Sequence, residues 1–167
     1  KIDGISASLI YNNGLLVRGV SRGDGTTGEN ILENLKTIKQ IPHKILGKDT
    51  PKTLEIRGEV YIGKKDFEKI KGKFANPRNA AGGSLRQKNS NVTSKIALQF
   101  FAYAFGEVEP LSFKKHTDFL KKINEWGFKT NPHNYLANNI TDIENQYNKI
   151  EKIRSKLDYD IDGLVVK

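Results

Sequence analysis

Leu54-Glu55-Ile56-Arg57-Gly58-Glu59-Val60-Tyr61-Ile62 alternates as a β-strand should. Successive side chains of a strand point to opposite faces, so Glu55, Arg57 and Glu59 share one face and make it charged. Upstream, Ile5 to Tyr11 and Leu15 to Val20 are β-prone runs around Asn12-Asn13-Gly14, a hairpin signal. Downstream, Leu98 to Phe105 is β-prone and aromatic, and three of Phe100, Phe101, Tyr103 and Phe105 are expected in the core. A last strand is expected after Asp158. Between these runs lie helical patterns. Ile31, Leu32, Leu35 and Ile38 fall on one side of a short helix, Asp66 to Lys71 reads as another, and Lys44 to Lys52 reads as a surface loop. Asn76-Pro77 opens a turn from which Arg78 to Ala81 begin a helical turn. Ser112 to Trp126 spaces Phe113, Thr117, Leu120, Ile123 and Trp126 helically, with Gly127 as its stop. Thr141 with Glu144 predicts a capping box for a helix carrying Ile143, Tyr147, Ile150 and Ile153. Strands and helices are interspersed without regular β-α-β alternation. The expected class is α+β, with largely antiparallel sheets flanked by helices.

The 167 residues suffice for one domain with a core of its own. With 37% hydrophobic and 28% charged residues, no apolar run of membrane-spanning length and no signal-peptide pattern, the chain reads as a cytoplasmic globular protein. It contains no Cys, which excludes a disulfide framework and a thiolate zinc site. Its net charge of +9, 28 Lys+Arg against 19 Asp+Glu, favours a polyanionic partner. A lysine-rich surface of no special function explains the charge equally well. No Met stands at position 1 or elsewhere, and Leu164-Val165-Val166-Lys167 closes the chain in strand-like sequence. One domain truncated at both ends, 1–167, is the expectation.

Several local patterns suit chemistry on phosphates. Arg22-Gly23-Asp24-Gly25-Thr26-Thr27-Gly28-Glu29-Asn30 is a glycine-rich loop able to accommodate an anion, with Thr27 placed to cap the helix that follows. In Phe74-Ala75-Asn76-Pro77-Arg78-Asn79-Ala80-Ala81-Gly82-Gly83-Ser84-Leu85-Arg86-Gln87, small residues permit close backbone approach, and Arg78 and Arg86 suit forked phosphate contacts. His43, His116 and His133 show no metal-ligand spacing and read as surface residues. No metal site built from side chains alone is visible.

The ends join these patterns. Lys1-Ile2-Asp3-Gly4 and Asp162-Gly163-Leu164-Val165-Val166-Lys167 together resemble the nucleotidyl-lysine site of covalent nucleotidyltransferases. With the Arg22 loop, Glu55-to-Val60 and the Arg78-to-Gln87 block, the chain resembles the adenylation domain of bacterial NAD-dependent DNA ligases over essentially its whole length. Ser21 replaces the Thr that leads the glycine-rich loop in that family, and Gly82 replaces its usual Ala, at a helix cost of about 1 kcal/mol. The segment from Phe67 to Phe74 is shorter than in many members.

The resemblance implies an ATP-grasp-like nucleotidyltransferase fold, with Lys1, Asp3, Glu59 and Lys167 as catalytic residues. Lys1 would be the nucleophile, which must become a neutral amine although a lysine ordinarily titrates near about 10.4. Lys1, Gly4, Arg22, Glu59, Tyr103, Arg154, Asp162, Val165 and Lys167 would hold the nucleotide, Tyr103 by stacking on adenine and Glu59 through the ribose. Arg78 and Arg86 would bind DNA or phosphate. NAD, Mg2+ and nicked double-stranded DNA are the implied partners of a monomeric enzyme with no membrane, and zinc belongs to parts outside this chain. Two other readings remain open. An ATP-dependent nucleic-acid ligase or capping-type enzyme shares the first and last motifs but should lack the Arg78-to-Gln87 block. A basic nucleic-acid-binding module would have no catalysis at all.

Overall fold

Asn13 and Gly14 both take positive φ, 48° and 78°, the backbone that a two-residue hairpin turn requires. They join β1 (Ile5–Asn12) to β2 (Leu15–Ser21) in the antiparallel hairpin expected there. The structure is a computed structural model and describes residues 1–22, 28–47, 49–111 and 113–167. Strand β3 (Thr53–Ile62) pairs antiparallel with β1, and β4 (Leu98–Glu109) pairs antiparallel with β3. The result is a four-stranded sheet in the order β2-β1-β3-β4. Helices α1 (Leu32–Leu35), α2 (Lys64–Glu68), α3 (Pro77–Leu85), α4 (Ser90–Thr93), α5 (His116–Glu125) and α6 (Ile140–Ile153) surround it, with a 3-10 turn at Arg154–Lys156. The α+β class with an antiparallel sheet holds.

One face of the sheet makes the core. Leu9, Tyr11, Leu54, Ile56, Val60 and Phe100 are fully buried, as are Leu35, Phe119 and Ile123 from the helices. Each such side chain contributes about 1.5–3 kcal/mol on burial. Gly58 permits the closest part of this packing, because a Cβ there would lie 2.1 Å from Phe100 Cζ. The opposite face stays polar at Ser6, Ser8, Glu55, Arg57 and Glu59. At its edge Phe101 stacks on Tyr61 at 5.0 Å and meets Tyr159 edge-on at 5.6 Å. With Ile150 and Ile161 these rings form a second apolar cluster, which clamps residues 159–161 onto the sheet.

Five local expectations are corrected. Helix α6 is capped by Asn139, whose side chain accepts from the Asp142 N–H at 2.8 Å, and not by a Thr141–Glu144 box. An Asn side chain already satisfies the first-turn donor there, so the helix begins ahead of Thr141. Helix α5 begins at His116, with Phe119 and Ile123 as its buried residues, because Lys115 is still extended; Ser112 lies outside the described residues. Helix α3 runs through Gly82 and Gly83 to Leu85. Both glycines face close neighbours, with a Cβ at Gly83 falling 2.8 Å from Phe74 Cε1. The strand expected after Asp158 reduces to one antiparallel bridge between Ile161 and Ile2, and Leu164, Val165 and Val166 are exposed. The loop expected from Lys44 to Lys52 is not wholly at the surface, since Ile45 is buried and Lys44 bridges Leu15. Thr27 lies outside the described residues; α1 has Ile31 at its N-cap, and Asn30 Oδ1 accepts from the Leu32 N–H at 3.2 Å.

Candidate active site

The two ends of the chain meet beside β3. Asp3 donates its N–H to the Asp160 carbonyl at 2.9 Å, and Asp162 donates to the Lys1 carbonyl at 2.8 Å. With the Ile2–Ile161 bridge between them, these bonds make a short antiparallel ladder that sets Lys1 against Asp162. The Lys1 ammonium donates to the Asp162 carboxylate. That bond is the main reason the amine is held above its ordinary pKa, and it holds the Asp162 carboxyl below its own.

Gly4 then lays this segment on the sheet. A Cβ at Gly4 would lie 2.3 Å from the Val60 carbonyl oxygen and 2.9 Å from Glu59 Cγ. Only glycine allows so close an approach, and it brings Glu59 under the influence of Lys1. Burial pushes the Glu59 carboxyl upward; a hydrogen bond from Ser6, the charges of Arg78 and Lys1, and the Gly4 N–H oppose that rise. Arg78, in the first turn of α3, pairs with Asp3 at 3.2 Å. Pro77 and the Asn76 cap, which accepts from the Asn79 N–H at 2.7 Å, fix where that turn starts.

Tyr103 arrives through an irregularity. The β3–β4 register slips between Arg57 and Gly58, which pair with Ala104 and Ala102, so Tyr103 is the extra residue of a bulge. Bulges re-aim side chains, and here the Tyr103 hydroxyl lies 3.5 Å from Ser6 Oγ on the charged face. Lys167 Nζ sits 5.3 Å from the centre of the Tyr103 ring and donates to the Tyr103 carbonyl at 3.1 Å. Burial lowers the Lys167 pKa. Lys1, Asp3, Gly4, Glu59, Arg78, Tyr103, Asp162 and Lys167 therefore converge on one polar face.

The remaining site residues stand otherwise. Arg22 is exposed, with its backbone N–H on the Ser6 carbonyl at 3.3 Å, where the glycine-rich loop departs; residues 23–27 of that loop lie outside the described residues. Arg154 donates to the Ile161 carbonyl at 2.9 Å and so braces the segment before Asp162. Val165 is 59% exposed. Arg78 and Arg86, each expected at phosphate, stand at opposite ends of α3. Arg86 pairs with Glu29 at 3.1 Å, beside the glycine-rich loop. A nine-residue helix spans about 13 Å, so the two guanidinium groups are offered from separate places.

Two residues near the site escaped the sequence reading. His116, expected at the surface, is half-buried, and its pKa is lowered by burial and then by Lys167. Ser6 carried no motif signal and becomes visible only through strand register. A cavity of about 440 Å3 lies elsewhere, lined by Ile143, Glu144, Tyr147, Asn148 and Leu164. It holds none of the converging charges, so the polar sheet face is the candidate site. Among the described residues no group of three His, Asp or Glu could hold a metal ion, and no helix is long and apolar enough to cross a membrane.

The DNA ligase of Pelagibacter ubique is 54% identical over 167 residues, covering 100% of this chain and 25% of the relative. The DNA ligases of Bartonella tribocorum and Acetivibrio thermocellus are 49% and 47% identical over 175 residues, covering 100% of this chain and 24% and 26% of theirs. The chain thus spans about a quarter of the length of the curated relatives it matches. The family described as the NAD-dependent DNA ligase adenylation domain matches residues 1–167, and the chain belongs to it.

Proposed function

We propose that this chain is the lysine-adenylating part of an NAD-dependent DNA ligase with an ATP-grasp-like nucleotidyltransferase fold, working as a cytoplasmic monomer. The observation that carries the reading is the convergence of Lys1, Glu59, Tyr103 and Lys167 on one polar sheet face, in a chain matched by that family from end to end. In the first step the Lys1 amine, freed of its proton, attacks the α-phosphorus of the adenylate half of NAD. A P–N bond forms, the pyrophosphate P–O bond breaks, and nicotinamide mononucleotide leaves. A 5′-phosphate oxygen at a nick then attacks the same phosphorus, the P–N bond breaks, and lysine is regained. The 3′-hydroxyl next displaces AMP and seals the strand.

The residues divide this work by their chemistry. Asp162 holds Lys1 as an ammonium in the resting site, so its displacement by nucleotide precedes attack. Tyr103 offers a ring face for adenine, bounded by Val165, and Lys167 and Arg22 offer positive charge to phosphate. Arg154 acts on Asp162 through the Ile161 carbonyl, and Arg78 and Arg86 face DNA phosphates from two separate places. Phosphoryl transfer generally draws on Mg2+, which would neutralise the phosphates and takes one or two carboxylates beside the substrate's own oxygens; among the described residues no group of three His, Asp or Glu would hold it by side chains alone.

The full-length protein containing these residues, given NAD labelled in its adenylate, should take up label and release nicotinamide mononucleotide. Lys1→Arg should abolish labelling, because a guanidinium with pKa above about 12 offers no neutral nucleophile. Labelling from ATP and not from NAD would overturn the assignment in favour of an ATP-dependent relative.

A further inference from the structure

Ser6 stands directly opposite Glu59 in the β1–β3 register. Its hydroxyl donates to Glu59 Oε2 at 3.0 Å, and the Tyr103 hydroxyl, 3.5 Å away, points at Ser6 Oγ. We propose that Ser6 is a positioning residue for nucleotidyl transfer: it holds Glu59 oriented and ionised, and ties that carboxylate to the Tyr103 ring as one preformed adenosine-binding edge. The inference rests on the reading of Glu59 and Tyr103 as nucleotide contacts given above.

Few other groups can hold Glu59, and the Gly4 N–H is the other neutral donor that acts on its carboxylate. Lys1 acts on it from the amino-terminal segment and Arg78 from α3, and Tyr103 reaches it from β4 through Ser6. Along its own strand, Glu55 is already occupied by Arg57 at 2.7 Å and by Ser8 at 2.9 Å. Lys1 is engaged with Asp162 and Arg78 with Asp3, and the positive charge of Lys1 disappears once its nitrogen bonds to phosphorus. Ser6 is a neutral donor built into the paired strand, so its contribution persists through every step. Without it a half-buried carboxylate loses a partner while burial continues to favour its protonated form.

Ser6→Ala and Ser6→Thr in the full-length protein test this through the initial rate of lysine labelling by NAD between pH 5 and 9. Ser6→Ala should move the acidic midpoint upward by about half a pH unit, since the lost hydrogen bond is one that lowers the Glu59 pKa. It should also raise KM for NAD by about threefold to tenfold. Ser6→Thr, which keeps the hydroxyl, should restore both. An unchanged midpoint and KM in Ser6→Ala would overturn the proposal, as would equal impairment of both variants with lowered Tm. A wild-type protein that NAD does not label at all would instead overturn the function reading beneath it.

Discussion

At Gly4 one methyl group decides whether the amino-terminal segment reaches the sheet. The atom that a Cβ would strike, 2.3 Å away, is the Val60 carbonyl oxygen, a backbone atom that no rotamer change can move aside. Gly4→Ala should therefore lift Lys1 and Asp3 off β3 and away from Glu59. Misplacement of a reacting group by about 1 Å can cost about a hundredfold in rate, and a fall of that order in lysine labelling is expected. The initial rate of adenylate uptake from NAD measures it; labelling at the wild-type rate would show that the close approach is dispensable. The same residue illustrates the limit of motif reading. Lys1-Ile2-Asp3-Gly4 points to Lys1 as the proposed nucleophile, but the reason for its glycine is Val60, 56 residues away. Ser6 and His116 were invisible for the same cause, since their significance comes only from what faces them.

Among the elements, α3 carries the clearest conflict between local preference and packing. Gly82 sits inside the helix and should weaken it, yet the helix persists because Ala80, Ala81, Ser84 and Leu85 are buried. A Cβ at position 82 would lie 3.3 Å from Ile5 Cδ1, the mobile end of a half-buried side chain. Gly82→Ala should consequently stabilise the fold by about 0.5–1 kcal/mol, with a small shift of Ile5. Urea unfolding checks it, and a lower midpoint would mean that Ile5 cannot move aside. Helix α6 teaches a different lesson. Its apolar spacing was legible, but its start was not, because Asn139 and Thr141 are both acceptable caps and only the observed hydrogen bond chooses between them. The β4 bulge left no trace in the sequence at all. Alternation would have put Tyr103 in phase with Phe101 regardless, and the register slip that seats it is a property of the pairing.

Over the whole molecule the +9 charge bears on partners more than on fold. Arg22, Arg78 and Arg86 stand apart from one another, at the loop and at the two ends of α3, which suits a backbone-tracking contact better than one anion pocket. A polypeptide of these 167 residues should bind nicked duplex weakly and without sequence preference. With two to four phosphates neutralised, its affinity should fall about tenfold to a hundredfold between 50 and 200 mM salt. Fluorescence anisotropy over that range is the measurement, and a flat salt response would remove the charge argument.

Strand alternation in Leu54 to Ile62, the Asn13-Gly14 turn and the apolar helical spacings determined the elements and the class, because each is a local preference written in neighbouring residues. The ordered motifs likewise determined the family. The tertiary structure alone decided which of those residues act together. It joined Lys1 to Asp162 across the length of the chain, set Ser6 against Glu59 and brought the Tyr103 hydroxyl to Ser6. It also set Arg78 and Arg86 at the two ends of α3, the one on Asp3 and the other on Glu29. Contacts of that kind depend on register, close approach and the direction of each side chain. None of the three is encoded within any single stretch of sequence, and all are settled only when the sheet and α3 pack.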